Sequence, residues 1–187
     1  GISSGAMTFA VIAIISANSL LTRFPGWDIE LIILPVFAFI GAMASTYLIY
    51  LLATTNRQTH ILMMLLAGIA MAAFGGAVTG LLIFFADDQQ LRSITFWTMG
   101  ALTDVTWTQS LLVLSVVLVA SILLFRLSRA LNLMLMGESV AWQMGVDVNK
   151  IKKRIIILVA LVVGVCVSLT GMIGFIGLLI PHITRLL

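Results

Sequence analysis

Charged side chains are scarce in this chain: Asp, Glu, Lys and Arg make up 9% of its 187 residues, against about 25% in a typical soluble domain. Hydrophobic residues make up 61% of the sequence. A soluble fold of this length has too little interior to hide so much apolar surface. The composition therefore excludes a soluble domain and predicts a protein that lies in a membrane.

Cysteine and histidine are also nearly absent, which excludes several kinds of site. The one cysteine, Cys166, lies inside an apolar stretch, so the sequence has neither a disulfide framework nor a CxxC zinc or redox pair. The two histidines, His60 and His182, do not support a metal site. The ten Lys and Arg residues are too few and too localised for nucleic-acid binding. We expect this chain to bind no metal, no cofactor and no nucleic acid.

Long charge-free stretches dominate what remains. A helix of about 20 apolar residues crosses the hydrocarbon layer, and five stretches qualify as full spans: 5–21, 31–53, 61–86, 108–125 and 155–169. A shorter apolar stretch, 91–102, is expected to form a re-entrant or interfacial helix. The sequence thus predicts an all-α, polytopic transmembrane helix bundle with about five full spans plus short re-entrant or broken helices.

Glycine is concentrated after the last predicted span, where Gly171, Gly174 and Gly177 recur every third residue and Pro181 follows. This pattern predicts a short or broken helix, of the kind that transporters place beside a translocation pathway. Close helix packing through small residues explains the same glycines equally well. These four residues are therefore candidates for a pathway, with packing as the open alternative.

Basic residues are distributed unevenly when the chain is threaded back and forth through the five spans. Arg23 and Arg92 lie on one side. The other eight lie opposite: Arg57, Arg126, Arg129, Lys150, Lys152, Lys153, Arg154 and Arg185. Because cytoplasmic loops are enriched in Lys and Arg, this second side is predicted to be cytoplasmic. The cluster from Lys150 to Arg154 is expected to anchor the start of a span.

The longest loop on the basic side predicts a short helix bounded by two glycines. Gly137 can serve as its N-cap, Glu138 lies where the helix dipole favours an anion, and Gly145 fits a left-handed C-terminal position. Met136, Val140 and Met144 would share one face, suited to docking into a groove on a soluble partner. A helix lying flat on lipid is the alternative, although this segment carries a single charge, which is negative.

Two motifs carry a family resemblance: GExxAxxMG at 137–145 and GxIGFIGLxIPHIxR at 171–185. With GISSGA at 1–6, LAG at 66–68 and FWxMG at 96–100, they make the whole chain similar to the FecCD-type permeases. These are subunits of ATP-binding-cassette importers for siderophores, haem and cobalamin. The resemblance implies alternating access in a multi-pass protein of the bacterial inner membrane, surrounded by lipid.

Family members have ten transmembrane helices and pair as homodimers or paralogous heterodimers. The resemblance implies two cytoplasmic ATPase subunits beneath the pair and a periplasmic or lipoprotein substrate-binding protein above it. Residues 1–187 would form a single transmembrane permease domain corresponding to helices three to eight. We therefore expect the chain to be a piece of a longer protein.

The loop helix corresponds to the family's coupling helix, which inserts into a cleft on the ATPase. The residues that the resemblance assigns to it are Gly137, Glu138, Val140, Ala141, Met144 and Gly145. The sequence contains no GxxxxGK[ST] motif, so ATP is expected to be used by the partner and this chain to be a transporter subunit rather than an enzyme.

Two other functions are compatible with parts of the sequence. An intramembrane serine protease would use the GxSxG at 1–5 and His182, but that motif has mechanical meaning only at a strand-to-helix elbow. A channel or structural bundle that does not use ATP would explain the glycines, but it leaves the loop helix without a purpose. The scarcity of acidic or histidine clusters in the spans favours a bulky chelate over a bare metal ion as the substrate.

The first prediction concerns orientation and follows from the uneven basic residues. Single cysteines, introduced into the full-length protein after removal of Cys166, are tested with an impermeant thiol reagent on intact cells. Positions 28 and 88 should react from outside, whereas positions 57, 152 and 185 should not. Labelling of position 152 from outside would contradict the topology.

Overall fold

The computed structural model describes residues 1–17, 32–55, 58–100, 105–173 and 176–186. Within these ranges the chain forms nine helices and one two-stranded hairpin. The helices are α1 (Ile2–Ile15), α2 (Leu34–Ala53), α3 (Ile61–Phe84), α4 (Asp88–Met99), α5 (Trp107–Arg126), α6 (Ser128–Leu135), α7 (Glu138–Gln143), α8 (Val148–Thr170) and α9 (Ile176–Leu186). Between α2 and α3, β1 (Thr54–Thr55) pairs antiparallel with β2 (Gln58–Thr59).

Four helices of the described ranges, α2, α3, α5 and α8, are long and apolar enough to cross a membrane. They confirm four of the five predicted spans and the all-α polytopic bundle. The predicted span 5–21 is helical over α1, whose 14 residues cover about 21 Å at 1.5 Å per residue; residues 18–21 lie outside the described ranges. The predicted span 155–169 lies inside α8, which begins earlier because Asp147 caps its first turn.

The short helix expected at 91–102 is also present, although α4 begins three residues earlier. Asp87 accepts a hydrogen bond from the Gln90 amide, and the Gln90 side chain accepts one from the Asp87 amide. This capping box starts the helix before its apolar part. Ile94 of α4 is buried against Val11 and Ile14 of α1. The end of the predicted segment, 101–102, lies outside the described residues.

Helix α2 lies at the centre of the bundle and packs against α1, α3 and α8. Small side chains fill its contact with α1, where Ala6 and Ala10 meet Ala38 and Ala42 in one buried cluster. A Cβ atom at Gly41 would overlap the Gly5 carbonyl and the Phe9 side chain. Lipid tails are as apolar as the helix side chains, so no hydrophobic effect drives helices together in a membrane. Helices associate there through the van der Waals packing of such close contacts.

Helices α3 and α5 leave most of their apolar surface uncovered within the described chain. In the most apolar stretches, 39% of the residues of α2 are buried, against 6% in α3 and 6% in α5. Leu62, Phe84 and Phe125 are among the exposed side chains. A uniformly apolar exposed helix is suited to contact lipid or further transmembrane helices.

The second prediction tests the close contact between α1 and α2. Alanine at Gly41 should destabilise the purified full-length protein by about 1–3 kcal/mol, the usual cost of overpacking. Gly76→Ala, on α3, is the matched control because a Cβ atom there meets no described atom within 4 Å. Alanine favours a helix over glycine, so the control should be neutral or slightly stabilising. Thermal unfolding in detergent measures both variants, and equal stability would contradict the contact.

Candidate functional site

The loop helix predicted at 137–145 is present as α7, with the boundaries that its glycines indicate. Gly137 is the N-cap with φ of 117°, and Gly145 follows the helix with φ of 83°. The Gly145 amide donates to the Trp142 carbonyl at 3.0 Å, and the Val146 amide donates to the Ala141 carbonyl at 3.0 Å. This pair of bonds is a Schellman motif, which requires a left-handed residue at Gly145.

Helix α7 is fixed on one side and exposed on the other. Ala141 is fully buried and Val140 is half-buried. Four large apolar side chains around the helix are exposed, and we call them the apolar tip: Leu135, Met136, Trp142 and Met144. Of the face predicted from Met136, Val140 and Met144, the two methionines are exposed and Val140 is half-buried. Exposed large apolar side chains outside the spans are typical of binding surfaces.

Lys152 connects α7 to the rest of the bundle. Its side chain is only 9% exposed, and its Nζ lies 2.7 Å from Oε1 of Glu138. The same Nζ donates to the Thr59 carbonyl at 2.7 Å. Lysine is rarely buried unless it is paired, so these two contacts account for its position. Sequence reasoning treated Lys152 as one of several anchoring cations and did not find its partners.

A cavity of about 410 Å³ lies between α7 and the start of α8. It is lined by Glu138, Ser139, Trp142, Asp147, Val148 and Asn149. Asp147 accepts a hydrogen bond from the Lys150 amide at 3.1 Å and forms an ion pair with its Nζ at 2.8 Å. The bond from the Lys150 side chain, followed by that from its amide, holds the pKa of Asp147 below its usual value.

Two polar contacts assign loops to the two ends of the bundle. The bond from Lys152 to Thr59 brings the β1–β2 hairpin to the end that carries α7. At the other end, the Gln90 side chain donates to the Ile15 carbonyl at 3.4 Å, which places α4 beside the last turn of α1. This arrangement agrees with the predicted grouping of the basic loops, although Arg57 itself lies outside the described residues.

The helix break predicted after the last span is present at Gly171, which has φ of 72° and ends α8. A Cβ atom at Gly171 would overlap the Trp97 carbonyl and lie 3.2 Å from Gly100 Cα. Gly100 also has a positive φ, of 71°. The end of α4 and the break therefore cross backbone to backbone, which only glycine permits.

The following helix, α9, begins at Ile176 and runs to Leu186, the last residue that the structure describes. Pro181 lies inside it and has no amide hydrogen to donate to the Gly177 carbonyl. A Cβ atom at Gly177 would meet no described atom within 4 Å. Within the described chain, close packing explains Gly171, whereas Gly177 has no such contact there; Gly174 lies outside the described residues.

The geometry gives the protease alternative no support. Ser3 and Ser4 lie in the first turn of α1 rather than at a strand-to-helix elbow, and the Ser4 hydroxyl donates to the Gly1 carbonyl at 2.7 Å. His60 and His182 are both exposed. Among the described residues, no three His, Cys, Asp or Glu side chains are grouped so that they could hold a metal ion.

Comparison with known proteins agrees with the sequence motifs. The FecCD transport family matches residues 1–187. Over 153 residues the chain is 40% identical to the hemin transport system permease protein HmuU of Yersinia pestis, covering 81% of this chain and 45% of that protein. It is 36% identical over 186 residues to the vitamin B12 import system permease protein BtuC of Vibrio cholerae, covering 100% of this chain and 53% of the relative.

The fold is also similar to that of a solved structure, described as an inward-facing conformation of a metal-chelate type ABC transporter. The TM-score is 0.83 at 28% identity, and the match covers 100% of this chain and 56% of the other. The chain spans about half the length of the curated relatives it matches. On the family match along its whole length and the shared helical fold, this chain belongs to the FecCD transport family and is an integral membrane protein.

Proposed function

We propose that the full-length protein is the permease subunit of an ATP-binding-cassette importer in the bacterial inner membrane. Its substrate is an iron chelate, such as a siderophore complex or haem, or a related metal complex such as cobalamin. Membership of the FecCD transport family supports this function, as do relatives named for hemin and vitamin B12 transport. The observation that carries it is α7, a glycine-bounded helix with an exposed apolar tip beside the basic loops.

The substrate class is supported by the scarcity of charge in the spans. Helices α2 and α3 contain no Asp, Glu, Lys or Arg, and α5 has only Arg126 in its last turn. The cations of α8 lie in its first two turns, near the end that carries α7. Pathways for bare ions usually display intramembrane charges. A large solute whose metal is shielded by its chelator suits an apolar lining better.

The exposed apolar side chains at α7 support an ATPase as the cytoplasmic partner. Exposed Trp142 and Met144 can enter an apolar groove on a cytoplasmic ATPase, a common way for a short helix to bind. In the proposed assembly two ATPase subunits lie beneath a permease pair, either a homodimer or a paralogous heterodimer. A periplasmic or lipoprotein binding protein delivers the chelate from above. ATP is bound by the ATPase rather than by this chain.

The proposed mechanism is alternating access. When ATP draws the two ATPases together, each coupling helix moves with its ATPase, and the permease pair opens its central path to the other side. Gly137, Glu138, Val140, Ala141, Met144 and Gly145 make up that coupling helix. Gly171, Gly174, Gly177 and Pro181 are proposed to line or gate the path, because a broken helix at membrane depth is tolerated only against protein or water.

The third prediction tests the substrate class. The full-length permease is reconstituted into proteoliposomes with its ATPase and binding protein, and uptake of labelled ferric siderophore, haem, cobalamin, free metal ions and amino acids is measured. At least one of the three complexes should be taken up, and only with ATP. ATP-dependent uptake of only the small unchelated solutes would contradict the substrate class, and uptake without ATP would contradict the importer.

The fourth prediction tests the coupling helix through Gly145. A β-branched residue in a left-handed conformation costs on the order of 1–2 kcal/mol, so Gly145→Val should distort the end of α7 and lower uptake per ATP hydrolysed. Gly145→Asn is the matched control, since asparagine tolerates this conformation and should transport nearly as well as the wild type. Normal coupling in Gly145→Val, with normal ATPase binding, would remove α7 from the mechanism.

A further inference from the structure

Lys152 is the one buried charged side chain in the part of the chain that the structure describes. Its ammonium uses two of its three hydrogens, one toward Glu138 Oε1 and one toward the Thr59 carbonyl, each at 2.7 Å. Anchoring a span at the membrane surface needs an exposed cation, as Lys150 is. A general role as a positive anchor therefore does not explain why Lys152 is buried.

The two contacts differ in their surroundings. Thr59 is only 3% exposed, so the bond to its carbonyl is shielded from water. The Glu138 side chain is 54% exposed and borders the cavity beside α7. Removing one partner of a buried charge is costly because the charge is then left uncompensated. When Glu138 moves with α7, Lys152 is drawn with it or loses its counterion.

Thr59 is close in sequence and in hydrogen bonding to the ends of α2 and α3, the first of which lies at the centre of the bundle. It pairs with Thr54, the first residue after α2, and the amide of His60 donates to the Ala53 carbonyl at 3.1 Å. The next residue, Ile61, begins α3. If the backbone of Thr59 moves, the end of α2 and the start of α3, which adjoin it, must therefore move as well. Of these, α2 is the helix with the largest buried share.

We propose that Lys152 is a positioning residue that transmits movement of α7 to the hairpin between α2 and α3, and so to the core of the bundle. The inference rests on the proposed function, since it says how the coupling helix acts on the spans. Lys152 belongs to α8, so one side chain joins three elements: α7 through Glu138, the hairpin through Thr59, and α8 through its own backbone.

The fifth prediction uses Lys152→Met, which keeps the unbranched aliphatic side chain, one atom shorter, and removes its charge. In the reconstituted importer this variant should bind the ATPase as the wild type does, but take up about tenfold less substrate per ATP, within the range by which coupling residues change energetic coupling. Hydrogen exchange of residues 54–60 should respond to nucleotide in the wild type and not in the variant. Lys152→Arg retains the charge and should restore most of the coupling.

Lys153→Met is the matched control. Lys153 is the neighbouring cation on the same helix and is exposed, so its removal should change neither uptake per ATP nor hydrogen exchange of the hairpin. If Lys152→Met does not fold, Glu138→Gln replaces it, because Glu138 is half-exposed and its loss leaves the Thr59 contact in place. Glu138→Gln should lower uptake per ATP several-fold, a smaller loss within the same range.

Three results separate this inference from the proposed function. No ATP-dependent uptake by the wild type would overturn the importer itself. Normal uptake per ATP in Lys152→Met, or in Glu138→Gln where the first does not fold, would overturn the role of Lys152 and leave the importer intact. Equal losses in Lys152→Met and Lys152→Arg would also overturn it, because the charge would then not be the property that matters.

Discussion

The close approach of α1 and α2 is the contact on which the rest of the bundle depends. Gly5 and Gly41 let the two backbones meet, and alanines continue the contact along both helices. In lipid the hydrophobic effect does not drive helices together, so their association depends on van der Waals packing between complementary surfaces. Helix α2 is then held on three sides, by α1, α3 and α8. The hairpin that follows α2 is positioned by the same contact.

The basic end of the bundle is held together in a different way. There, hydrogen bonds and charges replace the contact of small residues, and Lys152 links α7 and α8 to the hairpin 93 residues earlier in the sequence. Helix α7 has few other attachments, since it has six residues and a largely exposed apolar tip. A short helix that is held at one end, here by the Glu138–Lys152 ion pair, and exposed elsewhere can move as a unit when a partner binds it.

Features encoded by neighbouring residues could be predicted from the sequence. Spans follow from apolar length, and the boundaries of α7 follow from Gly137 and Gly145. The start of α4 was missed even though Asp87 and Gln90 form a capping box three residues apart, a local signal that identifies it. The fold class and the family motifs needed no tertiary information.

Features that depend on distant residues could not be predicted in this way. The burial of Lys152 is decided by Thr59, 93 residues earlier, so its place in a basic cluster gave no indication of it. Gly171 and Gly177 belong to one repeated spacing, yet one crosses another backbone and the other meets no described neighbour. The glycine spacing predicts that small residues are needed here, but it does not identify the neighbour that each glycine contacts.

The proline in α9 restricts which side of this helix can face lipid. Since Pro181 leaves the Gly177 carbonyl without its helical donor, that oxygen needs water or another donor. Against hydrocarbon an unpaired carbonyl costs several kcal/mol, by order of magnitude, and the glycine has no side chain to shield it. The side of α9 that carries Gly177 thus presents an unpaired carbonyl oxygen, and the need to solvate this oxygen directs that side away from the lipid.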